Sequence, residues 1–259
     1  MIIAALETQK EIFGDELFGS VRRTTVAAAP PKPAPKPKAT PPAPKPVEVK
    51  APVAVHEPAP AALTVPASAI TECTTLDQLR AATAGCMRCK LGETRKNIVF
   101  GEGNPTAHVM VIGEGPGADE DATGSPFVGR AGQLLTKILA AIQFPREEVY
   151  IANIVKCRPP GNRVPQQDEM HECMHYLHKQ IELINPKFIL CLGTTAGNAL
   201  LGKKDTLGAM RGKVFDVQGT RAMVTYHPSA LLRNPNWKKD CWEDVQQFRK
   251  MYDDWLTAQ

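Results

Sequence analysis

Short apolar runs alternate with stretches of helical spacing along the chain from about residue 70 onward. The apolar runs have the length of buried strands, and the longer stretches between them repeat their apolar residues at the period of a helix. Strands are predicted at 109–112, 149–155, 188–192 and 223–226, and helices at 76–84, 131–142, 167–184, from 194 and at 239–256. Buried strands that alternate with helices indicate a parallel sheet covered on both faces. We therefore predict an α/β domain of three layers, α/β/α, with a central four-stranded parallel sheet.

The chain changes character before residue 70. Thirteen of its 23 prolines lie between Pro30 and Pro66, and no Phe, Trp or Tyr occurs between Phe18 and Phe100. Such a stretch cannot bury enough apolar surface to offset its conformational entropy. We predict a short N-terminal helix or interaction motif at 1–20, a disordered linker rich in Pro, Ala and Lys at 21–70, and a globular domain at 71–259.

The first segment contains Gln9, Ile12 and Phe13 at a spacing that resembles the sliding-clamp-binding peptide of bacterial replication and repair proteins. An aliphatic and an aromatic anchor of this kind can fill an apolar groove, and a long tether raises their effective concentration. The alternative is an unrelated terminal helix. The sliding clamp is thus one predicted partner.

Composition excludes some protein classes. Hydrophobic residues make up 43% of the chain, which excludes a wholly disordered protein, and no apolar run approaches the roughly 20 residues of a membrane span. The formal net charge is only +4, so nucleic-acid binding has to come from local basic patches. Seven cysteines without an export signal favour a reducing cytoplasm.

Polar or glycine-rich segments follow three of the four predicted strands. Gly113-Glu114-Gly115-Pro116-Gly117 follows the first strand, Asn153 lies toward the end of the second, and His227-Pro228-Ser229 follows the fourth. The carboxyl ends of parallel strands meet at one edge of a sheet, so these segments should converge on one site. The glycine loop lacks the spacing of a dinucleotide or P-loop motif. The acidic run Asp119-Glu120-Asp121 beside it would repel a phosphate, which favours a neutral heterocycle or a cationic transition state.

Four cysteines have the spacing of a metal site. Cys86 and Cys89 form a chelating pair, and Cys157 and Cys173 lie in the loop after the second strand and on the following helix. Four thiolates suit either zinc or an iron–sulfur cluster. The alternative is a set of unrelated buried thiols.

These motifs together resemble family 4 uracil-DNA glycosylases, the iron–sulfur, thermophile-type enzymes. The resemblance extends from about Thr75 to Trp255, includes the four-cysteine pattern, and is carried by the segments 113–121, 124–129, 153–160 and 227–229. It implies a uracil-DNA glycosylase-like fold with a four-stranded parallel sheet and a [4Fe-4S] cluster on Cys86, Cys89, Cys157 and Cys173. It also implies a monomeric DNA repair hydrolase that acts on uracil in single- or double-stranded DNA.

The resemblance assigns roles in a pocket for a flipped uracil. It implies that Phe127 stacks on the base, that Asn153 reads its Watson–Crick edge, and that Glu114 and Gly115 line its wall. His227 would donate a hydrogen bond to uracil O2 as charge develops there. Glu120 is the first candidate for orienting water, and Asp119 is the second.

The resemblance also implies a DNA-contacting surface. Leu231, Leu232 or Arg233 would fill the gap left by the flipped nucleotide. Phosphate contacts are expected from Ser125, Lys156, Arg158, Arg163 and Ser229.

The sequence departs from related patterns at two places. A related branch captures DNA covalently through a His in a basic loop, and the corresponding segment 203–211 has no His, so covalent capture is not expected. Ala118 stands where many members have an acid. Two other classes are kept as alternatives: a non-catalytic nucleic-acid-binding module with a four-cysteine metal site, and a nucleotide-binding Rossmann-like enzyme.

Overall fold

The computed structural model describes residues 67–259. The predicted motif at 1–20, with Gln9, Ile12 and Phe13, and nearly all of the predicted linker lie outside the described residues. The first described helix, α1 (Ala67–Thr71), spans the predicted domain boundary at residue 71. No helix within the described range is long and apolar enough to cross a membrane.

One mixed sheet of six strands forms the middle layer. The strands are β1 (Glu102–Gly103), β2 (Val109–Gly113), β3 (Tyr150–Asn153), β4 (Phe188–Leu192), β5 (Phe215–Val217) and β6 (Thr220–Thr225). Their order is β1-β3-β2-β4-β6-β5, and the four central strands run parallel. The predicted four-stranded parallel sheet is therefore confirmed as the centre of the molecule.

The two edge strands correct the prediction of a sheet with only four strands. β1 and β5 pair antiparallel with β3 and β6, respectively. β1 has two residues, both exposed, and β5 has three, of which only the last is buried. Segments this short and this exposed carry no apolar run, so the hydrophobic pattern could not reveal them.

Helices cover both faces of the sheet. The remaining α-helices are α2 (Leu76–Thr83), α3 (Leu91–Thr94), α4 (Ala118–Thr123), α5 (Arg130–Ala141), α6 (Gln167–Ile184), α7 (Thr194–Leu201), α8 (Leu207–Met210), α9 (Pro228–Arg233) and α10 (Lys238–Thr257). Side chains of β2 alternate between the faces, as in any strand. Met110 and Ile112 join the core under α6, and Val109 and Val111 join the core under α5 and α10. The three-layer α/β/α architecture is confirmed.

The boundaries of α6 show how local sequence fixes the frame of the domain. Glu169 accepts a hydrogen bond from the backbone N–H of Gln166 at 2.7 Å, which caps the first turn. The helix ends at Asn185, whose φ of 49° is left-handed, and Pro186 prevents its continuation. α6 thereby leads the chain into β4, whose carboxyl end lies at the same edge of the sheet as those of β2, β3 and β6.

Candidate functional site

A cleft of about 860 Å³ opens at the carboxyl edge of the parallel strands. Its lining includes all seven residues predicted to bind uracil or to act in catalysis, namely Glu114, Gly115, Asp119, Glu120, Phe127, Asn153 and His227. The prediction that the segments after β2, β3 and β6 converge is therefore confirmed. Such a cleft at the carboxyl ends of parallel strands is where α/β proteins place their ligands.

Asn153 lies at the floor of the cleft, at the last position of β3. It is only 1% exposed, and its Oδ1 has no hydrogen-bond partner among the described residues. A buried amide oxygen without a partner costs free energy, so natural proteins keep one where a ligand satisfies it. Asn153 is thus set up to accept a hydrogen bond from a bound molecule.

Gly113 separates Asn153 from Phe127. A Cβ atom at position 113 would lie 2.5 Å from Asn153 Oδ1 and 2.5 Å from Phe127 Cζ. Only glycine therefore allows the two side chains to approach the end of β2 so closely. The result is a narrow slot with an aromatic ring and an amide at its walls.

The loop that carries Phe127 is held from two sides. Phe127 adopts a left-handed φ of 53° and is 6% exposed. A Cβ atom on Gly132 would lie 1.9 Å from the carbonyl oxygen of Phe127, so the first turn of α5 rests directly on this backbone. Arg146 donates to the carbonyl of Pro126 from the other side. The ring is therefore fixed before any ligand arrives.

His227 faces Phe127 across the slot, with ring centroids 5.7 Å apart. It caps α9, because its Nδ1 accepts a hydrogen bond from the backbone N–H of Ser229 at 3.2 Å. An acceptor Nδ1 leaves the proton of a neutral imidazole on Nε2. Burial lowers the pKa of His227 to about 4, helped by the positive charge of Arg233. The ring is therefore a neutral Nε2–H donor at physiological pH.

The two acidic candidates differ in their surroundings. Glu120 is 9% exposed, and its carboxylate accepts from the backbone N–H groups of Gly117 at 3.0 Å, Val128 at 2.9 Å and Gly129 at 3.0 Å. It ties the loop after β2 to the loop of Phe127. Asp119 is exposed to the cleft, and its carboxylate makes no hydrogen bond within residues 67–259.

The structure buries two of the predicted DNA contacts. Lys156 is 1% exposed, and its Nζ donates to the carbonyl of Asn153 at 2.9 Å and to Gln180 Oε1 at 2.6 Å, so it cannot reach a phosphate. Leu231 is fully buried in the core under α5 and α10, so it cannot enter DNA.

The other predicted DNA contacts remain accessible. Leu232 is 39% exposed, and Arg233 beside it is exposed at the rim of the cleft. Arg163 lines the cleft, but its guanidinium forms two hydrogen bonds with Glu169, at 2.8 and 2.6 Å, which offset its charge. Partly exposed side chains are found at Ser125, Arg158 and Ser229.

The four predicted cysteine ligands line a second cavity. Cys86, Cys89, Cys157 and Cys173 surround it, together with the side chains of Arg88, Arg95, Lys156 and Tyr176. Arg95 lies 3.6 Å from Cys157 Sγ, and the backbone N–H of Lys156 donates to Cys173 Sγ at 3.2 Å. The fold therefore brings together four sulfurs from three segments that are distant in the sequence.

The charges around this cavity suit an anionic group. Burial lowers the pKa of Lys156 to about 8, and the groups that favour its charged form are Cys173 and Cys157. Burial raises the pKa of Cys157 to about 11 and of Cys173 to about 12, so the thiols are neutral unless a metal binds them. The hydroxyl of Tyr176 is buried next to Cys86.

No three His, Cys, Asp or Glu side chains of residues 67–259 converge on the position of a single metal ion. A polynuclear cluster holds its four thiolates farther apart than one ion does. Four cysteines as ligands, with the buried cation of Lys156 to offset their charge, therefore fit an iron–sulfur cluster.

Sequence reasoning missed several residues of the site. Arg146 and Gly132 support Phe127 but lie outside every motif. Tyr226 and Trp237 line the cleft and stack on each other, with ring centroids 5.3 Å apart. The available signal for Trp237 was its place in a polar, proline-containing segment, Asn234-Pro235-Asn236-Trp237, where a core aromatic is not expected.

Known proteins are similar to this chain in sequence. Residues 100–246 match the family model described as the uracil DNA glycosylase superfamily. A protein of Thermotoga maritima named type-4 uracil-DNA glycosylase is 50% identical over 151 residues, which cover 58% of this chain and 79% of the relative. Proteins with the same name from Archaeoglobus fulgidus and Saccharolobus solfataricus are 39% and 45% identical over 184 residues, covering 68% of this chain and 92% and 85% of theirs.

Proposed function

Because the chain belongs to the uracil-DNA glycosylase superfamily, and within it to the type-4 enzymes, we infer that it excises uracil from DNA. It flips the nucleotide out of the helix, hydrolyses the N-glycosidic bond and leaves an abasic site for base excision repair. The observation that carries this conclusion is the buried, unpartnered Oδ1 of Asn153 in a slot beside Phe127.

The slot distinguishes uracil from cytosine by hydrogen bonding. Asn153 Oδ1 accepts from uracil N3–H, and the amide N–H of the same side chain donates to O4. Cytosine presents an acceptor at N3 and a donor at C4, which would leave these buried groups unpaired. Phe127 stacks on the ring, and Glu114 beside C5 excludes the methyl group of thymine.

His227 stabilises the leaving base. As the glycosidic bond breaks, its electron pair moves into the base and negative charge develops on O2. The neutral Nε2–H of His227, fixed by the acceptor bond at Nδ1, donates to that oxygen. Burial holds the ring neutral, so no proton has to be lost or gained before the donor bond forms.

The acidic loop stabilises the cationic sugar and orients the water that adds to it. Asp119 is the better placed of the two candidates, because its carboxylate is open to the cleft, whereas the oxygens of Glu120 are held by three backbone amides. Glu120 contributes negative charge and fixes the loop that carries Phe127.

We propose that Cys86, Cys89, Cys157 and Cys173 hold a [4Fe-4S] cluster. When bound, the cluster would supply four metal–thiolate bonds that join the α2–α3 region, the loop after β3 and α6. Lys156 connects this region to the pocket, since its backbone N–H contacts Cys173 and its Nζ holds the carbonyl of Asn153.

The cluster is tested by iron content and colour. Cys86→Ala should lose bound iron and visible absorption and lower the midpoint of thermal unfolding, whereas Cys241→Ala, a buried thiol outside the cavity, should keep both iron and colour. Equal iron in Cys86→Ala and the unaltered protein would remove Cys86 from the ligand set.

The remaining proposals concern the setting of the enzyme. We propose that it works as a monomer in the cytoplasm, at the nucleoid, on single- and double-stranded DNA. Gln9, Ile12 and Phe13 would tether it to the sliding clamp, as the resemblance of that segment suggests. Co-sedimentation with the clamp, with and without a Phe13→Ala change, tests this partner.

Uracil release is tested on an oligonucleotide that carries one deoxyuridine, followed by alkaline cleavage of abasic sites. Cleavage at uracil but not at thymine is expected. Asn153→Ala should slow release by about 10²–10³-fold while DNA binding persists. Binding without cleavage by the unaltered protein would favour a non-catalytic nucleic-acid-binding module instead.

A further inference from the structure

Trp237 lies at the rim of the cleft and has no role in holding the uracil. It ends the short turn Pro235–Trp237 between α9 and α10 and is 40% exposed. It lines the same cleft as Asn153 and His227. A large aromatic side chain left exposed beside a binding site is a common anchor for a ligand.

Trp237 is held in a fixed orientation from below. Its indole stacks on the ring of Tyr226 at a centroid distance of 5.3 Å and an angle of 22°. The guanidinium of Arg211 lies 5.3 Å from the centroid of the Tyr226 ring. Arg211 in turn donates to Asp244 Oδ2 at 3.0 Å. The indole is therefore already ordered in the free protein, so a ligand that binds it loses little free energy to the ordering of this side chain.

Tyr226 is fixed as well. Its hydroxyl donates to Asp240 Oδ2 at 3.2 Å. Because one face of the indole rests on Tyr226, the exposed part of Trp237 includes its remaining face and edge. A flat, pre-oriented aromatic surface of this kind can take a second flat group on top of it.

The cleft is larger than one base requires. Its volume of about 860 Å³ lies near the upper end of the roughly 300–1,000 Å³ typical of sites for drug-sized ligands. The slot between Phe127 and Asn153 accommodates the flipped uracil. The space toward Trp237 is left for the nucleotide next to it.

Basic residues flank Trp237 in the sequence, and one of them, Arg233, lines the cleft. Arg233, Lys238 and Lys239 form no ion pair within the part of the chain that the structure describes. Cations next to an aromatic surface are the combination that binds single-stranded nucleic acid, with phosphates on the cations and bases on the rings.

We propose that Trp237 is a stacking platform for the nucleobase adjacent to the flipped uracil, so that the cleft binds a dinucleotide step of single-stranded DNA. The proposal rests on the proposed uracil-DNA glycosylase function. Stacking tolerates any base because every base has an aromatic face, so the platform adds affinity without sequence preference. Single strands gain most, since their bases are free to leave their neighbours.

The test pairs a protein change with a DNA change. Single-stranded oligonucleotides carry one 2′-fluoro-deoxyuridine, whose fluorine destabilises a cationic sugar and so prevents cleavage. The flanking base is either present or replaced by an abasic spacer, on the 5′ side in one set and on the 3′ side in another. Dissociation constants are measured by fluorescence anisotropy for the unaltered protein, Trp237→Phe and Trp237→Ala.

At one of the two flanks, removal of the base should raise the Kd of the unaltered protein by about 5- to 100-fold. Trp237→Ala should raise the Kd for the complete oligonucleotide by a similar factor and should be insensitive to the abasic spacer. Trp237→Phe should keep most of the sensitivity. The proposal would be overturned if, at both flanks, the abasic spacer raised the Kd of Trp237→Ala by the same factor as that of the unaltered protein. An unchanged Kd of Trp237→Ala for the complete oligonucleotide would also overturn it.

Trp255→Ala is the matched control, because Trp255 packs on Phe188 at the opposite edge of the sheet and should leave the Kd unchanged. Uracil release from the ordinary deoxyuridine oligonucleotide is measured alongside. Absence of release would refute the glycosylase function. The Kd measurements on the uncleavable oligonucleotides test the stacking platform separately.

Discussion

At the amino ends of the central strands, aromatic rings pack against one another; at the carboxyl ends, an aromatic ring faces open space. We call Phe144, Phe188, Phe248, Tyr252 and Trp255 the amino-end cluster. Its rings meet edge to face, for example Phe188 and Phe248 with centroids 6.2 Å apart at 80°. In the pocket, Phe127 and His227 lie 5.7 Å apart at 35°, and the space beside them is left for a base.

The difference between the two edges is one of satisfied and unsatisfied interactions. Phe248 and Phe188 are 0% and 1% exposed and gain their full contact energy in the free protein. Asn153 Oδ1 is equally buried but lacks a partner until a ligand binds. Stability is therefore concentrated at one edge of the sheet and binding capacity at the other, and substitutions should separate the two.

The largest effect on stability should come from the amino-end cluster. Phe248→Ala leaves a cavity between α10 and the sheet and should lower the free energy of unfolding by about 3–5 kcal/mol. The single-turnover rate of uracil release, measured well below the unfolding midpoint, should stay within a few-fold of normal. A rate loss as large as that of a pocket variant would show that the two edges are not independent.

The next substitution should have the opposite result, a large loss of activity with little loss of stability. His227→Ala removes the donor to uracil O2 and should slow uracil release by about 10²–10³-fold, or about 2.7–4 kcal/mol of transition-state stabilisation. Chemical denaturation should show at most a modest change, from the lost cap of α9. Retention of near-normal rates would remove His227 from the catalytic residues.

Two adjacent leucines, one buried and one exposed, should show the same separation of stability from DNA binding. Leu231→Ala should destabilise the protein by about 2 kcal/mol or more, because Leu231 is fully buried. Leu232→Ala should change stability by less than about 0.5 kcal/mol, because that side chain is 39% exposed. It should, however, slow release from duplex DNA more than from single strands, since only a duplex leaves a gap to fill.

The last effect concerns pH. His227 has a pKa of about 4 in the folded protein against an ordinary 6.5, so as pH falls from 6.5 toward 4 the unfolded state binds a proton that the folded state does not. The free energy of unfolding should therefore decrease as the pH is lowered from 6.5 to 4, and the decrease should be less steep in His227→Gln. Denaturation curves at several pH values measure the slopes.

The same shift predicts the activity profile. Uracil release should show no ionisation of His227 near pH 6.5. An acidic limb centred there that disappears in His227→Gln would contradict the depressed pKa.

Most of the sheet and of the pocket could be predicted from the sequence because both depend on local patterns. Four apolar runs of strand length mark β2, β3, β4 and β6; Asn153 ends β3, and His227 lies in the loop after β6. The edge strands β1 and β5 escaped prediction because two or three partly exposed residues carry no periodicity. Their pairing is determined by neighbours that are distant in the sequence.

The roles of individual side chains were harder to predict. Lys156 stands beside Cys157 in the sequence and looked like a phosphate ligand, but Gln180, which accepts from its Nζ, comes from the far end of α6. Leu231 and Leu232 cannot be told apart until the direction of α9 is known. Burial of a particular side chain depends on tertiary packing, which a single sequence does not display.

For protein engineering, Gly113 has a practical meaning. The width of the slot is limited by the main chain of β2, because a methyl group there would already lie 2.5 Å from both Asn153 and Phe127. No bulky side chain exists at this wall that could be trimmed to admit a larger base, and every replacement of Gly113 narrows the opening. Variants with broadened base preference therefore have to be sought among the side chains of the rim, and random mutation at residue 113 can only close the site.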